Sequence, residues 1–378
     1  MKKKVLITGG AGFIGSHLVE RLYTTDKYEI IVLDNLSPQI HGDGDSYTFK
    51  KIQGKCTFVK GDVQDEDLFV SLLEKTNILV HLAAETGTGQ SMYENARYVK
   101  ANCLSTSYIV DYIGKGNHNI EKILVASSRS IYGEGKYECT EHGVQYPDSR
   151  EVEDMANGEF ECLCSSCKEP MNVLATSEDS RIHPISTYGL TKFFQENLLE
   201  SACVAAELAF VGLRFQNVYG VGQSLSNPYT GIISIFSNRF RQGKGIKIFE
   251  DGKESRDFVY IDDVIDSMEG SINLENKKPL ILNVGNGSMV SVIEIAEILR
   301  KNINPNVSIE ISGEFRKGDI RHNYADLTLI KEKLNFSPKF NIEQGLTLFT
   351  DWMLSQDEEE DKYEKSLDEL KEKGLLNS

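Results

Sequence analysis

Tyr188 and Lys192 stand four residues apart, the spacing that puts two side chains on one face of a helix. A free phenol ionises near pH ~10. An ammonium beside it favours the phenolate. Such a phenolate can take a hydroxyl proton while hydride leaves the same carbon. Pro184-Ile185-Ser186-Thr187 supplies a helix start ahead of the pair. Ser128 lies in Val125-Ala126-Ser127-Ser128-Arg129-Ser130-Ile131-Tyr132-Gly133, at the end of an apolar run, where ligand sites of α/β sheets are found. Its hydroxyl can bond the oxygen that Tyr188 deprotonates. Either motif alone is commonplace, so their weight comes from what surrounds them.

A hydride acceptor is encoded at the N-terminus. Val5-Leu6-Ile7-Thr8-Gly9-Gly10-Ala11-Gly12-Phe13-Ile14-Gly15 reads as strand, glycine turn and helix, with Gly9, Gly12 and Gly15 three apart. That pattern suits a tight turn, close backbone approach to a pyrophosphate and tight packing of helix on strand, with the helix N–H groups offered to the phosphates. Asp34 ends the next apolar run, where a carboxylate bonds an adenosine ribose and repels a 2′-phosphate. Asn35, rather than an arginine, follows it, so NAD is favoured over NADP.

A second constellation is unrelated to hydride chemistry. Cys139-Thr140-Glu141-His142 is followed, after a gap of 21 residues, by Cys164-Ser165-Ser166-Cys167. Cys139, His142, Cys164 and Cys167 make a set of three thiolates and one imidazole suited to tetrahedral Zn²⁺. With four protein ligands the site would be structural. Cys162 is left over, and Cys56, Cys103 and Cys203 read as small core residues.

The elements that position these groups follow from apolar patterning. Short apolar runs at residues 5–8, 29–34, 56–60, 78–82, 121–126 and 208–215 alternate with helical stretches such as 12–22 and 186–207. This predicts a Rossmann-type α/β fold, a doubly wound parallel sheet. Residues 1–213 form the NAD-binding domain, interrupted by a polar, cysteine-rich insertion at 134–181 without strand or helix periodicity. Residues 214–353 form a smaller C-terminal substrate-binding domain, and a late strand near 280–285 returns to the main sheet. Residues 354–378 are a charged tail, a solvated helix or frayed end with no assigned function. The net charge of −16 over 378 residues argues against nucleic-acid and membrane-surface partners. The Met1-Lys2-Lys3-Lys4 start lacks an apolar stretch before Thr8-Gly9-Gly10, so a cytoplasmic protein with reduced thiols is expected.

Taken together the motifs resemble the extended short-chain dehydrogenase/reductase family, specifically its nucleotide-sugar epimerases and dehydratases. The resemblance covers about residues 4–345. It includes the 8–15 loop, Asp34, Gly61-Asp62-Val63, His81-Leu82-Ala83-Ala84, Asn102, Ser128, Tyr188, Lys192, Leu213 to Gly220, Arg256-Asp257-Phe258-Val259 and Asn283-Val284-Gly285. It implies that Ser128, Tyr188 and Lys192 are catalytic. It implies that Gly9, Gly12, Phe13, Ile14, Gly15, Asp34, Asn35, Asp62, Val63, Leu82, Ala83, Ala84 and Asn102 contact NAD together with Tyr188 and Lys192. Thr86, Ser128, Asn217, Arg256 and Arg316 would hold a nucleotide-diphosphate sugar, with Arg321 competing for the role of Arg316. A homodimer through the Tyr188 helix and a helix near 96–113 is implied as well.

Within that family the sugar 4,6-dehydratases carry Thr-Asp-Glu where this chain has Ser128-Arg129-Ser130, and Arg and Ser do not replace an acid–base pair. The remaining chemistry is 4-epimerisation through a transient 4-keto sugar, which needs no further acid. The stretch 83–93 and the insertion resemble the dTDP-L-rhamnose 4-epimerases of the family. A reductase, decarboxylase or dehydratase on the same scaffold is the alternative. A non-catalytic NAD-binding regulator is disfavoured because Tyr188 and Lys192 are both kept.

Overall fold

The computed structural model describes residues 2–42, 46–225, 227, 229, 231–359, 361 and 363–377. Its centre is a seven-stranded sheet. The first five strands are β1 (Lys3–Thr8), β2 (Tyr28–Asp34), β3 (Thr57–Lys60), β4 (Ile78–His81) and β5 (Lys122–Ser128). Ala209–Phe215 pairs with β5, and Leu280–Val284 completes the edge beyond it. Every pairing in the sheet is parallel. From β1 the chain steps outward through β2 and β3, then crosses back to β4 and runs the other way. Such a reversal opens a crevice at the carboxyl ends of the two central strands, here β1 and β4.

The strands are apolar on both faces because both faces are covered. Val5 and Ile7 pack with Leu18, Val19 and Leu22 of helix α1 (Phe13–Thr25) on one side. Leu6, Ile31 and Leu33 pack with Phe69, Leu72 and Leu73 on the other. The expected strand at 280–285 is in place as the outermost strand. Among the described residues no helix is long and apolar enough to cross a membrane.

Two segments differ from the sequence expectation. The insertion holds a three-stranded antiparallel ribbon, Gly143–Gln145, Tyr137–Cys139 and Asn172–Val173, and a short helix, Val152–Ala156. Strands of two or three residues are too short for alternation to show. The tail is a helix, Tyr363–Glu372, whose Tyr363 and Leu367 are buried. Beyond it Leu376–Asn377 pairs antiparallel with Phe315–Arg316. Tyr363, Leu367 and Leu370 sit at helical spacing inside a charged sequence, and that narrow stripe docks the segment.

Candidate active site

A cleft of about 630 Å³ opens where β1 and β4 part, and it continues between the main sheet and the C-terminal elements. The glycine turn after β1 forms its floor. Gly9 has φ +70°, and a Cβ there would stand 2.8 Å from the Ala83 backbone nitrogen. A Cβ on Gly15 would stand 2.3 Å from the Gly9 carbonyl. Only glycine lets this turn nest between the ends of β1 and β4. Helix α1 begins at Gly12 without a side-chain cap, so its first N–H groups meet the cleft wall free to bind an anion.

Asp34 lies at the end of β2 on the same wall. Its oxygens accept from the Ala11 and Leu36 N–H groups at 3.0 and 2.9 Å, and each keeps a lone pair for a ligand hydroxyl. Asn35 donates to Asp62 at 2.8 Å. Phe13, Ile14, Asp62, Val63, Leu82, Ala83 and Ala84 all line this arm. A carboxylate at one end, open helix amides in the middle and an apolar channel beyond fit a dinucleotide. Asn102 does not line the cleft. It is fully buried, accepting from the Glu85 N–H at 2.8 Å and donating to the Glu85 carbonyl and Thr191 hydroxyl at 3.1 and 2.9 Å. It ties the loop after β4 to the Tyr188 helix.

That helix, Thr187–Ala205, starts with Ser186 capping the Gly189 N–H at 3.1 Å. Tyr188 sits in its first turn, where its N–H donates to the Ser91 hydroxyl at 3.1 Å. Its phenol shares the cleft with Ser128, at the carboxyl end of β5. Burial pushes the phenol above its ordinary range, while Ser128 and the Arg129 cation pull the other way. Ser128 accepts from the Ser130 N–H and hydroxyl at 3.2 and 3.0 Å, which leaves its own proton to donate. Lys192, one turn on, donates to the Ala126 carbonyl at 2.8 Å and to Gln195 at 3.0 Å. Gln195 donates to Thr106 at 2.9 Å, and Thr106 meets His81. Burial brings His81 down to about 3 and Lys192 down to about 7.

The far wall is cationic. Arg129, Arg256 and Arg316 line it with Asn217 and Asp319. Arg129 Nε donates to Asn217 at 3.1 Å. Arg256 is nearly committed: its Nη atoms donate to the Ser255, Ile320 and Arg321 carbonyls and to Asp319 at 2.6–3.0 Å. Arg316 lies 4.8 Å over the Phe249 ring, and its buried Nε, without a hydrogen-bond partner among the described residues, stands 3.9 Å from Asp319. Burial opposes the charge of Asp319, yet Arg256, Arg316, Arg150 and Arg129 hold it down at about 2. Arg150 is taken up by Glu250 and Arg256 by Asp319, which leaves Arg129 and Arg316 to offer positive charge to a polyanion in the cleft. Thr86 and Ser128 also face the cleft. Arg321 does not: it is fully buried in ion pairs with Glu161, Glu250 and Asp251 at 2.6–2.9 Å.

Three groups escaped the sequence reading. Arg129 registered there only as a missing acid. Glu254 lines the cleft with one oxygen unpartnered among the described residues, and burial raises its carboxyl to about 7. Tyr363 of the tail reaches the cleft wall, its hydroxyl donating to the Lys247 carbonyl at 3.2 Å with Arg239 4.5 Å over its ring. Glu369 in the same helix accepts from Tyr229 at 2.7 Å.

A Rossmann crevice bearing this Ser–Tyr–Lys arrangement defines an NAD-dependent enzyme of the short-chain type. The chain belongs to the NAD dependent epimerase/dehydratase family, whose sequence signature matches residues 5–151 and 162–285. It is 36% identical to the dTDP-L-rhamnose 4-epimerase of Burkholderia thailandensis over 94% of this chain and 96% of that one. The structure of UDP-glucose 4-epimerase from Thermotoga maritima, with UDP-glucose, superposes with a TM-score of 0.74 at 28% identity, covering 93% of this chain and 98% of that one. MoeE5 in complex with UDP-glucuronic acid and NAD superposes at 0.72 with 27% identity, covering 93% and 99%.

Proposed function

We propose that the chain is a nucleotide-sugar 4-epimerase that works through a transient 4-keto sugar, with dTDP-L-rhamnose or a related deoxysugar nucleotide as substrate. The observation that carries this reading is the Tyr188–Ser128 pair set between a dinucleotide cradle and a wall of arginines. Positions 129 and 130, where dehydration would need an acid and a base, hold Arg and Ser. Similarity to the Burkholderia enzyme supports the sugar.

Bound NAD supplies the acceptor and donor of hydride at the sugar C4. Tyr188 takes the O4 proton and later returns it, while Ser128 donates a hydrogen bond to the same oxygen. Lys192 holds the nicotinamide side, and Asp34 holds the adenosine ribose. Asn217, Arg316 and Arg129 orient the diphosphate, with Arg256 setting the local field. The division near residue 213 then separates the half that binds cofactor from the half that binds substrate. In this reading the enzyme is a cytoplasmic homodimer, and the Zn²⁺ expected of the insertion has no step in the chemistry.

The test is incubation of the purified protein with dTDP-L-rhamnose and a panel of nucleotide sugars, without added cofactor, followed by NMR. The expected product is the C4 epimer, with deuterium placed at C4 retained there. A demand for stoichiometric reduced cofactor would mean a reductase, release of CO₂ a decarboxylase, and loss of water a dehydratase. The cofactor assignment has its own check: Asp34→Ala should weaken NAD binding and relax discrimination against NADP. A wild-type protein that prefers NADP would refute the role given to Asp34.

A further inference from the structure

The epimerase chemistry makes no use of the cysteines in the insertion, yet the fold gathers four of their neighbourhood's ligand atoms in one place. Cys139 ends a ribbon strand, and His142 stands in the turn before the next one. Cys164 and Cys167 flank a tight turn closed by the Lys168 N–H on the Cys164 carbonyl at 3.0 Å, with Lys168 at φ +62°. Cys139 Sγ lies 3.5 Å from His142 Nδ1 and 3.6 Å from Cys167 Sγ. Cys164 Sγ lies 3.6 Å from the same His142 nitrogen. All four ligand atoms fall within 4.8 Å of one another.

Those distances can be set against a metal. Tetrahedral Zn²⁺ with ordinary Zn–S and Zn–N bonds puts two sulfurs about 3.8 Å apart, and a sulfur and a nitrogen about 3.5 Å apart. The side chains therefore already outline a coordination shell. Gln145 donates to Cys164 Sγ at 3.1 Å, the kind of outer contact that steadies a thiolate ligand. Cys162, the leftover cysteine, belongs to a different neighbourhood and faces Glu134 and Tyr137. The insertion's own core is Tyr137, Cys139, Cys162, Cys164 and Met171, and a cluster that small needs a staple to stay folded.

We infer that Cys139, His142, Cys164 and Cys167 hold one structural Zn²⁺, and that the stapled insertion fixes the arginine wall of the substrate cleft. The route from metal to cleft is short. Two residues before Cys139, the Tyr137 hydroxyl donates to the His322 carbonyl at 3.3 Å and accepts from its N–H at 3.2 Å. His322-Asn323 pairs in register with Ser255-Arg256. Three residues before Cys164, Glu161 bonds Arg321 at 2.6 Å and His322 at 3.2 Å. Arg150 clasps Glu250 at 2.8 Å and the Asp319 carbonyl at 3.1 Å. The insertion thus grips the strand His322–Asn323, which pairs with the one carrying Arg256, and the loop that carries Asp319. Four protein ligands leave no open position, so the metal positions and does not react.

The metal half stands without the epimerase reading, and the kinetic half rests on it. Protein purified without a metal-affinity tag or added metal, under reducing conditions, should contain ~1 Zn²⁺ per chain by elemental analysis. Cys164→Ser and Cys167→Ser should lower this to below ~0.1 and speed proteolysis and hydrogen exchange across residues 136–176, because metal binding and local folding are coupled. Cys162→Ser should keep the metal. The KM for the nucleotide sugar should rise ~3–30-fold in the zinc-free variants, with NAD content and kcat little changed. Should those variants fail to fold, stripping zinc from the wild-type holoenzyme with a chelator and restoring it gives the same readouts reversibly. A metal-free protein with a protected insertion, a native Cys139–Cys167 disulfide, or zinc lost in Cys162→Ser and kept in Cys167→Ser would overturn the site. Zinc loss with an unchanged KM would overturn the coupling alone.

Discussion

Tyr188→Phe is expected to lower turnover ~10²–10⁴-fold, the usual scale for losing a positioned acid–base group, and to leave NAD and nucleotide-sugar binding nearly intact. The ring is held by contacts that phenylalanine keeps. Its backbone N–H donates to Ser91 at 3.1 Å, and its ring meets Tyr98 edge-on at 6.5 Å between centroids. Only the hydroxyl and its interaction with Ser128 are lost. The pH dependence gives a second check. Burial raises the phenol against the opposing pull of Ser128 and Arg129, so the free enzyme holds Tyr188 protonated at neutral pH. A base must be deprotonated to act, so wild-type activity should climb with pH toward the phenol's pKa, and the residual activity of the variant should lack that limb. Binding is read by equilibrium dialysis, turnover by NMR of the sugar. A variant with near-normal turnover would mean that another group takes the proton.

The sheet was legible because buried parallel strands are written as short apolar runs, and the glycine turn because its geometry excludes side chains. The runs at 29–34, 78–82 and 208–215 are the strands Tyr28–Asp34, Ile78–His81 and Ala209–Phe215. The four grouped ligand atoms of the insertion were legible for a similar reason: thiols and imidazole in paired knuckles have few other uses at that spacing. What stayed hidden depends on three-dimensional neighbours. Arg316 and Arg321 are five residues apart and chemically alike. One lies on the cleft and the other sits inside three ion pairs, and only the fold separates them. The apolar stripe of Tyr363, Leu367 and Leu370 is diluted by Glu, Asp and Lys, so a docked helix reads as a solvated one. Asn102 carries a family motif, yet it acts one layer back, through the Glu85 backbone and Thr191.

Arg129→Met should reduce kcat ~10²–10³-fold, the scale for removing one preorganised charge from an enclosed site, and should move the rising limb of the pH profile to higher pH. Burial and the neighbouring Arg256 bring the Arg129 guanidinium down to about 10, which still leaves it charged at neutrality. Asp319, Glu134 and Tyr188 pull it the other way. In the structure this is the cation that favours the Tyr188 phenolate, whereas the Lys192 ammonium donates to Ala126 and Gln195. Taking the cation away raises the phenol further, hence the direction of the shift. Arg129→Lys keeps the charge but not the planar fork that reaches Asn217 at 3.1 Å. It should therefore restore much of the pH profile while the KM for the nucleotide sugar stays elevated. The two roles separate in this pair of variants. If Arg129→Met raises KM alone and leaves the pH limb in place, Arg129 binds the diphosphate and does not tune the base.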